Sequence, residues 1–464
     1  MGRTERRYWD NRENISRAAR AGDPQDLLFD AYVPHPIAGW EPVLGSRTWA
    51  RLSRSSERCR ALSETLGQGD LPAEWLLSRA ESIASSTIED IRPSARRVAR
   101  AEAQLGLFGE KPPDAEMQAL RNIGVTRHAS DLAQSGASFT VESLCDMHET
   151  LMGDDPIAGR LRERQNWVGA GALKGPLAAR HVGPPPEHVL GLLEDLVEYV
   201  HRDDGDPLVR AAIAHAQFET IHPFPDGNGR TGRALIQFML LREEVIGRGT
   251  LPISSALMIE RPRYFDALDS FRLVCAPDDE ARSRSAQPWI EMLAEATFHA
   301  CILHDRLNSH VEALRQRWAA QATAKRIRPS SAAFRLLDHL PANPVLTADS
   351  ARRLLDTNER TARHAVARLA DAGILEQRSA GRRNRVFECG DMMDAFTESA
   401  REQPAANLTL STPVGAPGPT LPGTEETAKE EAGGICGART RRGTQCGHPR
   451  PRLGGKCPAG HPRS

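Results

Sequence analysis

Ile221-His222-Pro223-Phe224-Pro225-Asp226-Gly227-Asn228-Gly229-Arg230-Thr231-Gly232-Arg233 is the stretch whose reading decides the fold. It brings an imidazole, a carboxylate, three glycines and two arginines into one short segment. Pro223 and Pro225 stop the helical pattern that precedes it, and the glycines let backbone N–H groups turn toward one point at the start of the next helix. Such a loop receives an anion. Arg230 and Arg233 lie three apart, so both guanidinium groups reach the same side of that helix's first turn and can hold phosphate oxygens bidentately. Asp226 can hold a divalent cation between those oxygens.

Gly227-x-Gly229-x-x-Gly232 formally matches a dinucleotide-binding fingerprint, but that fingerprint needs a preceding strand. Residues 207–221 read instead as an Ala-rich helix with Val209, Ile213 and Ala216 on one face, and no βαβ unit surrounds them. His222 suits a different task. A hydroxyl is a poor nucleophile at neutral pH, and an imidazole positioned to take its proton contributes about 10²- to 10⁴-fold. Phosphoryl-type transfer otherwise rests on positioning and charge neutralisation, which a metal, the arginines and the N–H groups supply.

The segment resembles the Fic family motif, H-x-F-x-[D/E]-G-N-G-R-x-x-R, at every defined position. The resemblance implies a mainly α fold and transfer of AMP from ATP to a Ser, Thr or Tyr hydroxyl of a target protein. It makes His222 the general base and Asp226 the Mg²⁺ ligand. Gly227, Asn228, Gly229 and Arg230 become the anion hole for the α and β phosphates, Arg233 reaches the γ phosphate, and Phe224 anchors the loop in the core. It covers roughly residues 75–300, and only the motif is highly specific.

A second resemblance lies N-terminal to the motif. Ser85-x-x-x-Glu89-Asp90 is similar to the family's inhibitory helix motif, [S/T]-x-x-x-E-[G/N], with Asp90 departing from it. The resemblance implies that Glu89 pairs with Arg233 in the γ phosphate's place, so that ATP sits unproductively. Asp90 would either strengthen the field on Arg233 or distort the helix C-terminus, where a carboxylate opposes the dipole.

The 464 residues, 40% of them hydrophobic, suffice for more than one core. A net charge of −1 means that no whole-molecule field recruits nucleic acid or an anionic membrane. Eight cysteines, five scattered and three clustered near the C-terminus, do not form a disulfide framework. The start of the chain lacks an apolar signal region and no run of about 18 apolar residues occurs, so no membrane partner and a cytoplasmic location are expected.

The expected organisation runs through an N-terminal helical segment carrying the inhibitory helix (1–110), a catalytic core (111–320), a winged helix-turn-helix (328–398), a flexible linker (399–433) and a basic Cys/His tail (434–464). Residues 1–73 give little pattern. Helical spacing marks 74–90, 95–107, 115–133, 141–152, 187–202, 207–221, 262–274 and 287–320, with Ala234–Leu241 continuing the helix that leaves the motif. His148 reads as a core histidine rather than a ligand. Between Arg164-Gln165-Asn166-Trp167-Val168-Gly169 and His181-Val182 falls the place where Fic proteins carry a β-hairpin flap that clamps the target by strand-like pairing.

Beyond Lys325, three short helices (332–340, 347–355, 358–372) and two strands (374–378, 385–389) make the winged-helix pattern. Arg360, Arg363, His364 and Arg368 on the third helix, with Arg382, Arg383 and Arg385 on the wing, point to duplex DNA; winged helices also dock proteins and form homodimers. The tail offers Cys436, Cys446, Cys457 and His461 as a tetrahedral Zn²⁺ set, with His448 as a rival ligand. The alternative to an AMP-transferase is a nucleic-acid-binding regulator whose Fic-like core serves as a sensor or scaffold. The intact His222 favours transfer.

Overall fold

The computed structural model describes residues 2–10, 26–67, 71–108, 112–169, 176–274, 279–378 and 385–401, all within one compact unit spanning Met1–Leu408. It begins with an antiparallel hairpin, β1 (Gly2–Asp10) and β2 (Asp26–Pro34), in which Gly2 pairs with Pro34 and Asp10 with Asp26. Charged residues dominate β1, so its extended state comes from pairing with β2 rather than from intrinsic propensity. Helix α1 (Ser46–Leu66) follows and lies along α11, described below. These are the elements that gave no clear sequence pattern.

Helices α2 (Glu74–Ile88), α3 (Ala95–Phe108), α4 (Asp114–Ser135) and α5 (Val141–Met152) start and stop close to where apolar spacing places them. A reciprocal cap fixes the start of α5: the Thr140 hydroxyl accepts from the Ser143 N–H at 3.3 Å, and the Ser143 hydroxyl accepts from the Thr140 N–H at 3.1 Å. A short hairpin, β3 (Trp167–Val168) with β4 (His181–Val182), precedes α6 (Pro186–Val200), α7 (Pro207–Ile221) and α8 (Asn228–Arg242). The Asp206 carboxylate accepts from the N–H groups of Leu208 and Val209, so α7 has both an N-cap and a proline in its first turn. Then come α9 (Ile253–Ile259), α10 (Arg261–Phe271) and α11 (Asp279–Ala324). Helix α11 extends beyond the expected 287–320 and carries Pro288 inside it. Next to that proline, the fully buried Trp289 donates its indole N–H to the Ala212 carbonyl at 2.6 Å, tying α11 to α7.

The C-terminal part contains α12 (Ala332–Leu337), β5 (Val345–Thr347), α13 (Ala348–Leu354), α14 (Glu359–Asp371), β6 (Glu376–Gln377), β7 (Val386–Glu388) and α15 (Gly390–Arg401). Its three strands form an antiparallel sheet in the order β5-β7-β6. The fold among the described residues is mainly α, as expected. No helix among them is long and apolar enough to cross a membrane.

Two buried clusters organise the unit. The larger surrounds α7, which is buried on every face because α6, α8, α10 and α11 enclose it; the expected single apolar face of Val209, Ile213 and Ala216 understates this. The second joins α2 and α3 to the end of α11 and to the C-terminal elements through Trp75, Leu76, Val98, Trp318, Leu369 and Phe396. Trp75 and Phe396 meet edge to face at 5.2 Å. The buried Glu388 carboxylate accepts from Arg100 at 2.6 Å and Arg378 at 2.9 Å, adding a charged tie across the same junction. Helix α2 therefore runs between the two: Ile88 at its end belongs to the first cluster, Trp75 at its start to the second.

Candidate active site

Helix α7 ends at His222, which takes a left-handed conformation (φ 50°, ψ 60°), and Gly227 takes another (φ 76°) to cap α8. A left-handed turn costs a β-carbon-bearing residue about 1–2 kcal/mol, so the surroundings must hold His222 there. They do so from three sides. Arg162 donates to the His222 carbonyl at 2.8 Å, and Asn166 donates to the carbonyls of His222 and Phe224 at 2.9 and 3.2 Å. The Asn228 side chain clips Phe224, accepting from its N–H at 2.9 Å and donating to its carbonyl at 2.8 Å.

His148 supplies the third side. Its ring stacks on the fully buried Phe224 at 3.9 Å, nearly parallel. Nδ1 accepts from the Gly159 N–H at 3.1 Å, so the proton sits on Nε2, which donates to the Asp226 carbonyl at 3.0 Å. Burial holds its pKa down to about 4, so the ring stays neutral in this role. It is a core histidine, as expected, and also a strut for the loop.

His222 is itself held neutral. Burial and the nearby Arg272 push its pKa down to about 3. Nδ1 lies 3.4 Å from the Glu219 carbonyl and 3.9 Å from the Glu219 carboxylate, and a proton placed there leaves Nε2 with a free lone pair. Glu219 is buried, and one of its carboxylate oxygens has no hydrogen-bond partner. Burial raises its pKa to about 7 against the opposing pull of Arg233 and Arg272. A β-carbon on Gly232 would come within 2.8 Å of that carboxylate, which explains the glycine.

The anion-receiving end lies at the start of α8. Asp226 is mostly exposed, with its carboxylate 3.7 Å from Arg230. Arg230 is buried, donates to Gln118 at 3.2 Å, and keeps a buried Nε without a partner. Arg233 is fully enclosed and donates three times: from Nε to the Ser85 hydroxyl at 2.9 Å, and from one terminal nitrogen to the Ser85 carbonyl at 2.8 Å and the Glu89 carboxylate at 2.9 Å. The Glu89 carboxylate rests directly on the first turn of α8, where a β-carbon added to Gly229 would lie 2.0 Å from it.

Asp90 does neither of the two things considered for it from sequence. Glu89 is the C-cap of α2; the Asp90 N–H donates to Thr87 and the Ile91 N–H to Ser86, so a Schellman turn closes the helix. Asp90 occupies the left-handed position of that turn (φ 61°), which explains a Gly or Asn preference there, and Asp tolerates it. Its carboxylate turns away from Arg233 to Arg261 at 2.9 Å.

The expected flap is present as β3 and β4, with Trp167 opposite Val182 and Val168 opposite His181; residues 170–175 lie outside the described residues. His181 is buried, donates from Nε2 to the Thr220 carbonyl (2.8 Å), and meets Tyr32 of β2 edge to face. Cys436, Cys446, Cys457, His461 and His448, together with Arg382 and Arg383, also lie outside the described residues. Among the described residues, Glu5, Glu187 and His188 come together as a metal would need, but Arg7 already bonds both carboxylates. Arg162, Asn166, Glu219 and Arg272 carry no sequence signal for their roles: they reach the loop from other elements.

Helices of this arrangement around a glycine-rich loop define a helical protein with an anion site at a helix N-terminus and a neutral histidine beside it. Residues 138–240 match the Fic/DOC family model. Over 120 residues it is 34% identical to a protein adenylyltransferase fic-1 of Caenorhabditis elegans, and over 118 residues 32% identical to a protein adenylyltransferase Fic of Nematostella vectensis. These matches take in 25% and 24% of this chain and span about a fifth to a quarter of the relatives' length (22% and 25%). A solved Fic family protein from Desulfovibrio desulfuricans aligns with a TM-score of 0.45 at 20% identity, covering 75% of this chain and 98% of that one.

Proposed function

We propose that the protein transfers AMP from ATP to a Ser, Thr or Tyr hydroxyl of a target protein, and that Glu89 holds this activity in check. The observation that carries the reading is the Glu89 carboxylate: it lies against the first turn of α8 and on Arg233, where an anion belongs. The residues fit nucleotide phosphates, since Arg230 has an unused buried Nε and the α8 N–H groups of Asn228, Gly229 and Arg230 have no helical acceptor of their own. Bound Mg²⁺, held by Asp226, would neutralise phosphate charge.

The chain's own residues then divide the work. Nε2 of His222 takes the target hydroxyl's proton, the hydroxyl oxygen bonds to the α phosphorus, and pyrophosphate leaves. Arg230 and the α8 N–H groups hold the α and β phosphates, and Arg233 reaches the γ phosphate once Glu89 withdraws. Loop geometry does the rest, because Arg162, Asn166, His148 and Asn228 keep His222 and α8 in one relation. The β3–β4 hairpin receives a target strand by strand-like backbone pairing.

Incubation of the purified chain with ATP labelled at the α phosphate, followed by mass spectrometry of labelled bands, tests this. Label is expected on the protein itself or a target and absent with His222→Ala. Equal label in that variant removes His222 from the mechanism.

A second reading, nucleic-acid binding through the C-terminal part, draws on α14. Arg360, Arg363 and His364 are exposed while Ala362, Ala365, Val366 and Leu369 are buried. Arg363 pairs with Glu359, and Arg368 turns back to the Lys325 and Arg326 carbonyls after α11, so the open cations are fewer than the sequence suggests. This reading adds a docking module to the transferase rather than replacing it.

A further inference from the structure

Behind the Schellman turn of α2 lies a cleft of about 600 Å³ that the transfer reaction does not use. Its wall includes three guanidinium groups, Arg92, Arg96 and Arg261, against a single carboxylate, Asp90. Ile83 and Met258 give it an apolar side. Arg92 is exposed and has no ion pair among the described residues, and Arg96 is paired with Asp394 of α15. Arg261 is the informative residue. One terminal nitrogen donates both to the Ile88 carbonyl at 2.7 Å and to Asp90 at 2.9 Å, while its Nε is buried without a partner.

Arg261 thus ties the start of α10 to the last turn of α2. Asp90 keeps a left-handed backbone there, a conformation that L-residues adopt sparingly. The same turn aims Glu89 at Arg233, one residue before Asp90. An anion arriving in the cleft meets an excess of positive charge and draws on Arg261 in competition with Asp90.

We propose that this cleft is a regulatory site for a phosphate monoester with a small apolar body, and that its occupation takes Arg261 from Asp90 and releases Glu89 from Arg233. The phosphate meets the unpaired charge of Arg92 beside Arg96 and Arg261, whose charges Asp394 and Asp90 already answer, and the body rests on Ile83 and Met258. The release step rests on the reading of Glu89 given above. The site does not.

The test uses the full chain and two readouts that need no catalysis. Equilibrium dialysis with phenyl phosphate and with inorganic phosphate compares wild type, Arg92→Glu and Arg230→Ala. Arg92 is exposed and unbonded, so its replacement leaves the fold intact, and an unchanged melting temperature checks that. Phenyl phosphate is expected to bind more tightly than inorganic phosphate, to lose at least tenfold in Arg92→Glu, and to keep its affinity in Arg230→Ala. Binding lost only in Arg230→Ala would place the anion in the catalytic loop and overturn the site. Equal affinity for the two phosphates would overturn the apolar body. Hydrogen exchange then reads the turn: phenyl phosphate is expected to speed exchange of the Asp90 and Ile91 amides at least tenfold in wild type and not in Arg92→Glu. Binding without that change would overturn the release of Glu89. Failure of ATP labelling alone would instead count against the transferase reading.

Discussion

The Glu89 carboxylate lies 2.9 Å from a terminal nitrogen of Arg233, and the same nitrogen donates to the Ser85 carbonyl one helical turn earlier. Arg233 is 2% exposed while Glu89 is 36% exposed, so the pair is anchored on one side and reachable from solvent on the other. Such a pair can be displaced by a competing anion without moving the arginine. Removing the carboxylate leaves Arg233 still held by the Ser85 hydroxyl. Glu89→Gly is therefore expected to raise self-labelling from ATP by tenfold or more, and Arg233→Ala in the same chain to cancel the gain. Equal self-labelling by wild type and Glu89→Gly at saturating Mg-ATP would sink the inhibitory role.

His148 is expected to matter through the loop rather than through chemistry. His148→Phe keeps the stack on Phe224 but removes the bond to the Asp226 carbonyl. Its melting temperature should fall less than that of His148→Ala, which removes the buried ring as well and costs about 2–4 kcal/mol. Both should lower labelling in a Glu89→Gly background. Wild-type labelling in His148→Phe would show that the Asp226 carbonyl needs no strut.

Glu219 should leave a mark on the pH profile. Its carboxyl is pushed up to about 7, and the charged or titratable groups around it are His222, Arg233, Arg272 and Glu89. As pH rises through 7 it ionises and favours a proton on Nδ1 of His222, leaving Nε2 as the base. Labelling in Glu89→Gly is expected to climb between pH 6 and 8, and the added change Glu219→Gln to flatten that climb. An unchanged profile would remove Glu219 from the tuning of His222.

Stability should fall in acid. His148 and His304 are held down to about 4, His215 and His222 to about 3, and His181 well below its ordinary value, each mainly by burial. Each contributes stability above the unfolded value near 6.5, and loses it as pH falls toward the folded value. Glu81 and Glu219, raised to about 7 by burial, run the other way: their contribution is full below the unfolded value and is lost as pH rises through 7. The histidines are the more numerous, so the melting temperature should drop by about 5 °C or more from pH 7 to pH 5. A higher melting temperature at pH 5 would mean that the carboxylates dominate.

The C-terminal part gives a prediction about salt. If α14 contacts duplex DNA through Arg360, Arg363 and His364, the full chain should shift a duplex probe at low salt and lose at least tenfold in affinity between 50 and 200 mM salt. Arg360→Glu should weaken binding for every sequence alike. No shift at low salt would assign the exposed face to protein docking.

The sequence by itself carried the Fic motif, the mainly α class and the composition of the loop. These are local facts: two prolines, three glycines and two arginines three apart constrain backbone and charge within a few residues, and apolar spacing marks helices such as α5 and α7 almost to the residue. It was silent on β1, because a charged strand becomes a strand only when β2 pairs with it. It left Asp90 open between strengthening the field on Arg233 and distorting the helix end, because only the left-handed turn sends that carboxylate to Arg261. Tertiary structure alone decided that Arg162, Asn166 and His148 hold His222 in its strained turn, and that Glu219 and Arg272 surround it. Those residues come from separate elements, and contact between them is fixed by packing around α7, which no spacing along the chain encodes.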